Sequence, residues 1–253
     1  MENLNKVEIV QKINDLELHQ VDFDGEVIDV IKYSDIMKLL GVNLNNEHEI
    51  NDDNKYIIFT DGGSRMSKGI GSFAYVTLLG EAHDENVLKE SSRVFYNVTN
   101  NQMELMGFIS AFMDLIVDGD SFNFDVNNHI VVVSDSQYLT KGVNEYLPNW
   151  MKNGYKTSAR KTIKNKDLWL IIEQILALGE MYNITFEFVW TRGHQNEDTY
   201  ATKYNNICDE NCNIIMDDLL GGSPDIPQPT DFIAHVDGVE GTLFYTKKEM
   251  NAL

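Results

Sequence analysis

The stretch His129-Ile130-Val131-Val132-Val133-Ser134-Asp135-Ser136-Gln137 sets four consecutive β-branched apolar residues against an abrupt Ser-Asp-Ser stop. A short run of this kind reads as a strand covered on both faces. Asp135 then falls at the strand's carboxyl end, the edge where an open α/β sheet binds its ligands. The strand holds the side chain rigidly, the helix that follows opens space beside it, and the question is which other acids reach that edge.

Working outward, Thr99-Asn100-Asn101-Gln102-Met103-Glu104-Leu105-Met106 opens a helix to about residue 117, with Met103, Met106, Ile109, Phe112, Met113 and Ile116 at helical spacing. Glu104 lies in its first turns. Further upstream, Tyr56-Ile57-Ile58-Phe59 reads as a strand ending in Thr60-Asp61-Gly62-Gly63-Ser64, and residues 72–79 and 92–98 read as two more. Three strands in succession predict an antiparallel meander. Downstream, residues 136–153 and 165–181 read as helices, and residues 184–190 alternate like a strand. Through Thr191-Arg192-Gly193-His194 the chain reaches a last helix over about residues 199–219. The order β, β, β, α, β, α, α, β, α is that of an α/β fold with a mixed sheet and helices packed on it.

The flanks differ in composition. Residues 1–54 hold 13 acids and 4 bases, residues 55–212 hold 20 and 14, and residues 213–253 hold 7 and 2, so the acidity concentrates at the ends. In the first segment residues 7–16 read as a helix, and Asp24-Gly25 between apolar runs reads as a β-hairpin turn. Ser34 caps a short helix to residue 40, and the Asn/Asp/Glu-rich residues 43–54 read as a linker. The tail begins with Pro224, Pro227 and Pro229, which reads as another linker, and ends in Thr246-Lys247-Lys248-Glu249, a capping box. Similar strand, turn and helix patterns occur at the two ends, which reads as the chance recurrence of short patterns, with related or pairing modules as the alternative.

A formal charge of −20 and a pI near 4.5 argue against wholesale attraction to nucleic acid or an anionic membrane. Cys208 and Cys212, four apart on one helix face, are too few for a metal cage and badly oriented for a disulfide. They read as reduced thiols, from which a reducing cytoplasm is expected. The start lacks a signal-peptide pattern and no run nears the ~20 apolar residues of a membrane span, so a soluble intracellular protein is expected.

Asp61, Glu104 and Asp135 thus stand at element ends, and Asp209 sits in the last helix. Each alone reads as a cap or turn residue. Brought to one edge they would repel unless cations neutralised them, and hard oxygen ligands suit Mg²⁺ or Mn²⁺. Zinc is disfavoured because Cys and multiple His are lacking nearby. Two such ions, about 3.5 to 4 Å apart, can clamp a phosphodiester. Against the acidic background, residues 152–166 carry six bases and no acid, which favours phosphate contact. Tyr146, Trp150 and Tyr155 interleave with them and offer aromatic faces to a nucleic-acid strand.

The segments Thr60-Asp61-Gly62, Thr99 to Leu105, Ser134-Asp135-Ser136-Gln137-Tyr138, Gly193-His194 and Asn205 to Asp209 resemble, in order and spacing, the motifs of type 1 ribonuclease H. Asn149-Trp150 to Lys156-Thr157, continuing to Lys164 to Trp169, is similar to the basic protrusion and return helix of the bacterial enzymes. The resemblance covers about residues 55–216. It implies a ribonuclease H-like mixed five-stranded sheet flanked by helices, and the local patterns outside that span read as small α+β terminal extensions at 1–54 and 217–253. It also implies two-metal hydrolysis of the RNA strand of RNA/DNA hybrids, giving 5′-phosphate and 3′-hydroxyl ends.

By that resemblance Asp61, Glu104, Asp135 and Asp209 hold two Mg²⁺, with Mn²⁺ as the alternative, and His194 lies on a loop assisting proton transfer or product release. Asn100, Asn101 and Gln137 match minor-groove contacts, and amide side chains can engage the 2′-hydroxyl that distinguishes RNA. Tyr146, Trp150 and Tyr155, with Lys152, Lys156, Thr157, Arg160, Lys161 and Asn205, complete the expected substrate set. Residues 62–71 depart from the family's loop, and the segment after His194 lacks the usual second glycine. The other readings are a DNA-acting nuclease or integrase on the same fold, and a binding module whose acidic ends recruit a protein partner or block the groove. Separately, the acidic ends read as autoinhibitory segments that lie on the protrusion as nucleic-acid mimics. A monomer is expected, with RNA/DNA hybrid as its partner and no membrane association.

Overall fold

The computed structural model describes residues 18–23, 26–31, 54–117, 122, 126–193, 199–223 and 229–232. The chain divides into two compact units, residues 1–49 and 50–253. In the first, β1 (Leu18–Phe23) pairs antiparallel with β2 (Glu26–Ile31) in a register that closes at Phe23 opposite Glu26. That is the hairpin expected around Asp24-Gly25. The helices expected over residues 7–16 and 34–40, the 43–53 stretch of the linker, and the capping box at Thr246 lie outside the described residues.

The second unit is built on a mixed sheet. β3 (Lys55–Arg65), β4 (Ile70–Leu79) and β5 (Val87–Tyr96) form the antiparallel meander. β6 (Asn128–Ser134) lies parallel to β3, and β7 (Ile184–Trp190) lies parallel to β6. The sheet order is β7-β6-β3-β4-β5, extended at the far edge by the two-residue β8 (Thr230–Asp231).

Around this sheet pack α1 (Asn100–Val117), α2 (Gln137–Lys141), α3 (Leu147–Lys152), α4 (Lys166–Met181) and α5 (Tyr200–Gly221). Side chains alternate across the pleat, so Ile58 and Val132 enter one core with Met103 and Phe108 of α1 and Trp169 and Ile172 of α4. Phe59, Val76 and Val133 enter the other, against Tyr204, Cys208 and Cys212 of α5. β6 is therefore packed on both faces, as its sequence predicts. Both cysteines are free and buried. Among the described residues no helix is long and apolar enough to cross a membrane.

Three elements differ from the sequence reading. β3 does not stop at Phe59. It continues through Gly62 and Gly63, which pair with Phe73 and Ser72. The glycines look like breakers, yet Gly62 is where the backbone of α1 lies on the strand: a Cβ there would stand 2.3 Å from the Glu104 nitrogen. The helix expected over residues 136–153 is divided, with one wide π-type turn at Gly142–Tyr146 between α2 and α3. Pro148 explains it, because it has no N–H to bond four residues back and its ring collides with that carbonyl. Gly142 also lies under Trp169, where a Cβ would come within 2.1 Å of the ring. Last, part of the expected tail linker is a strand: β8 runs parallel to β5, and Phe232 meets Phe95 edge-on at 5.8 Å.

Candidate active site

The sheet register brings the acids together. Phe59 of β3 is paired with Val133 of β6, so Asp61 and Asp135 each follow by two residues the last pair joining these parallel strands, Asp61 within β3 and Asp135 just past the end of β6. Glu104 arrives on α1. Thr99 fixes the start of that helix: its N–H donates to Gln102 Oε1 at 2.8 Å, and its hydroxyl accepts from the Gln102 N–H at 3.4 Å. Gly62, and Gly107 one turn beyond Glu104, let the helix settle onto β3, since a Cβ at Gly107 would stand 2.1 Å from Thr60 Oγ1. One carboxylate oxygen from each of Asp61, Glu104 and Asp135 lies within 4.8 Å of the others. Asp209 of α5 stands outside that tight trio but lines the same open pocket of about 380 Å³, as does Asn100.

Local contacts hold these groups in place. Asp61 Oδ1 accepts from the Gly62 N–H at 2.8 Å, and Glu104 Oε1 accepts from Asn100 Nδ2 at 2.8 Å. The Trp190 indole N–H donates to the Asp135 carbonyl at 2.9 Å. Gly193 passes so close to the Asp135 carboxylate that a Cβ there would be 2.2 Å from Oδ2. Asn213, one turn beyond Asp209, donates to its carbonyl at 3.0 Å and to its Oδ1 at 3.2 Å.

Burial and crowding set the electrostatics. Asp61 is 8% exposed and Glu104 is 9% exposed. Burial, then the charges of Asp135 and Glu104, push Asp61 up to about 8. Burial, with a further contribution from Asp135, pushes Glu104 up to about 7. Carboxylates this close cannot all ionise at neutral pH without a counter-charge. Glu104 Oε2 is buried with no hydrogen-bond partner among the described residues. An orphaned oxygen on a carboxylate that clusters with two other acids fits a hard divalent cation, which takes oxygen ligands.

The RNase H family model matches residues 53–213, the span that contains strands β3 to β7 and all four acids. The chain belongs to the RNase H family. A Ribonuclease H of Francisella philomiragia is 33% identical over 168 residues, covering 66% of this chain and 95% of its own. One of Ruthia magnifica is 34% identical over 166 residues, covering 66% and 98%. Among solved structures, the PFV RNase H domain in solution is similar at 20% identity and a TM-score of 0.49, covering 65% of this chain and 94% of its own.

The remaining residues that the RNase H resemblance singles out fall into three groups. Asn100 and Gln137 are exposed and Asn101 is half-buried. Neither asparagine is the helix cap, a role Thr99 takes. Lys152 is exposed at the end of α3, Lys156, Thr157, Arg160 and Lys161 are exposed on a small turn closed by the Lys156–Thr162 bridge, and Tyr146, 46% exposed, lies tilted against half-buried Trp150 with ring centroids 5.7 Å apart.

Two expected substrate contacts are buried instead. Tyr155 is 7% exposed, and its hydroxyl donates to Glu173 on α4. Its ring anchors the protrusion to the core and leaves no face for a nucleic-acid strand. Asn205 is 2% exposed, one turn before Asp209 and inside the α5 packing. His194 lies outside the described residues.

The sequence reading missed Trp190 and Arg65. Trp190 is half-exposed at the end of β7, where a large aromatic has little core to fill. That misfit was the available signal. Arg65 is the one base among the described residues lining the carboxylate pocket.

Proposed function

We propose that this chain is a divalent-metal-dependent endoribonuclease that hydrolyses the RNA strand of RNA/DNA hybrids, leaving 5′-phosphate and 3′-hydroxyl ends. The observation that carries the reading is the meeting of Asp61, Glu104 and Asp135 within 4.8 Å on one pocket. Those three and Asp209 would hold the ions, Mg²⁺ before Mn²⁺. Bound divalent ions supply a nucleophile drawn from water and neutralise charge on the leaving oxygen.

The chain's own residues do the rest. Asn100 holds Glu104 through one oxygen and leaves the other for the site. Trp190 and the bare Gly193 backbone fix the direction of Asp135. Asn100, Asn101 and Gln137 offer amide donors and acceptors to the shallow groove where 2′-hydroxyls lie. The exposed bases of the protrusion neutralise phosphates, and Tyr146 with Trp150 gives the DNA strand an aromatic platform. His194 takes the proton-transfer or product-release role. The reading treats residues 55–216 as a monomeric, cytoplasmic catalytic domain and residues 1–54 and 217–253 as extensions available to a protein partner.

The test is Asp135→Asn, which preserves side-chain shape beside Gly193. Cleavage of hybrid should be lost by more than ~1000-fold with the melting temperature retained, a scale in keeping with loss of metal-assisted catalysis. Wild-type rates in that variant would remove the metal-site reading. Equal cleavage of duplex DNA by the parent protein would favour the DNA-acting alternative.

A further inference from the structure

The β3–β4 hairpin tip lies beside the carboxylate pocket, with Arg65 on its wall. Arg65 closes β3, and a single 3-10 turn, Met66–Lys68, leads to Gly69 in the left-handed region at φ 67°. The tip holds two bases and no acid, and Met66 is 77% exposed. Arg65 points its guanidinium at α5: one nitrogen pairs with Asp217 and the other donates to the Asn213 carbonyl at 3.4 Å. Asn213 and Asp217 follow Asp209 by one and two turns, so one helix face carries the site carboxylate and both partners of the arginine.

A strut between β3 and α5 is the simplest use of such a pair, but it does not account for the position. The Asp217 side chain is 66% exposed, and exposed ion pairs are screened and weak. A guanidinium has five N–H donors in a planar fork suited to phosphate oxygens, and the two contacts to α5 leave donors over. The surrounding pocket is acidic and must admit a polyanion. A cation on its wall offsets the repulsion at the point of entry, and the strand that enters is the one that is cut.

We propose that Arg65 contacts a backbone phosphate of the cleaved strand, held in readiness by Asp217 and the Asn213 carbonyl. This rests on the hybrid-cleaving reading above. Binding of a labelled RNA/DNA hybrid to the full chain is followed by anisotropy with Ca²⁺ in place of Mg²⁺, over about 50 to 200 mM salt. Each phosphate contact adds about 0.9 to the slope of log affinity against log salt. Arg65→Gln should therefore lower the slope by about one, so the affinity gap to wild type narrows about 3-fold across that range. Arg65→Lys should keep the slope, because charge is retained. Asp217→Asn should also keep it, although the strut is broken.

If Arg65→Gln and Asp217→Asn lower the melting temperature alike and both leave the slope unchanged, Arg65 is a strut only and the proposal is overturned. Should Arg65→Gln not fold, a lower slope in Arg65→Lys would overturn it equally. Wild-type protein that neither binds nor cuts hybrid overturns the parent reading instead, so the two failures are distinguishable.

Discussion

Replacing Gly62 by alanine would place a methyl group 2.3 Å from the Glu104 nitrogen, 2.4 Å from the Met103 carbonyl carbon and 2.8 Å from the Glu104 Cα. All three atoms are backbone, so no side chain can rotate away. Ordinary contact begins near 3.4 Å, and α1 must therefore retreat by about 1.1 Å from β3 at the turn that carries Glu104. Overpacking of this kind costs ~1–3 kcal/mol, and backbone against backbone belongs at the upper end. The same movement carries Glu104 away from Asp61 and Asp135, and misplacing a reacting group by ~1 Å costs ~100-fold in rate. Urea denaturation should show a lowered midpoint with an unchanged slope, and initial rates on a hybrid should fall by about two orders of magnitude. A Gly62→Ala protein with wild-type midpoint and wild-type rate would refute the claim that this close approach builds the site.

Three further outcomes are expected. Asp61 and Glu104 titrate at about 8 and about 7 in the folded chain, above their ordinary values of 3.8 and 4.5, so the folded state holds protons that the unfolded state releases. Metal-free protein should accordingly lose stability as pH rises from about 4 to about 8, and Asp61→Asn should flatten that dependence. A thermal-melt series in which the two proteins have equal slopes would contradict it. Trp190→Phe removes the donor to the Asp135 carbonyl while keeping an aromatic ring, though a smaller one, and one hydrogen bond of ~1 kcal/mol corresponds to ~5-fold in rate. The cleavage rate should fall by about that factor with little change in melting temperature, whereas an unchanged rate would dismiss a positioning role. Deleting residues 1–54 removes 13 acids and 4 bases. If that segment masks the protrusion, hybrid binding at low salt should tighten, and equal affinity would reject masking.

The parts of the fold legible from sequence are those where a local pattern and the tertiary packing agree. Four β-branched residues before Asp135 require a strand with two covered faces, and both faces are covered. Parallel pairing of Phe59 with Val133 then makes the approach of Asp61 to Asp135 a matter of register. Gly62 and Gly63 misread as a loop because glycine signals both breakage and close approach, and only the presence of α1 selects the second. Tyr155 misread because an aromatic among lysines looks exposed. Its burial depends on Glu173, 18 residues away. Asn205 lies one turn from Asp209, and a four-residue spacing shows a shared helix face without showing that this part of the face is covered. Arg65 carried no signal at all, since its two partners lie about 150 residues further along the chain.

Strand-resolved cleavage of an RNA/DNA hybrid labelled on each strand in turn bears most directly on what this protein does. With Mg²⁺ or Mn²⁺ the RNA should be cut internally to products with 5′-phosphate and 3′-hydroxyl ends, the DNA should stay intact, and a chelator should stop the reaction. An uncut RNA strand with either ion, or a DNA strand cut as readily as the RNA, would contradict the account.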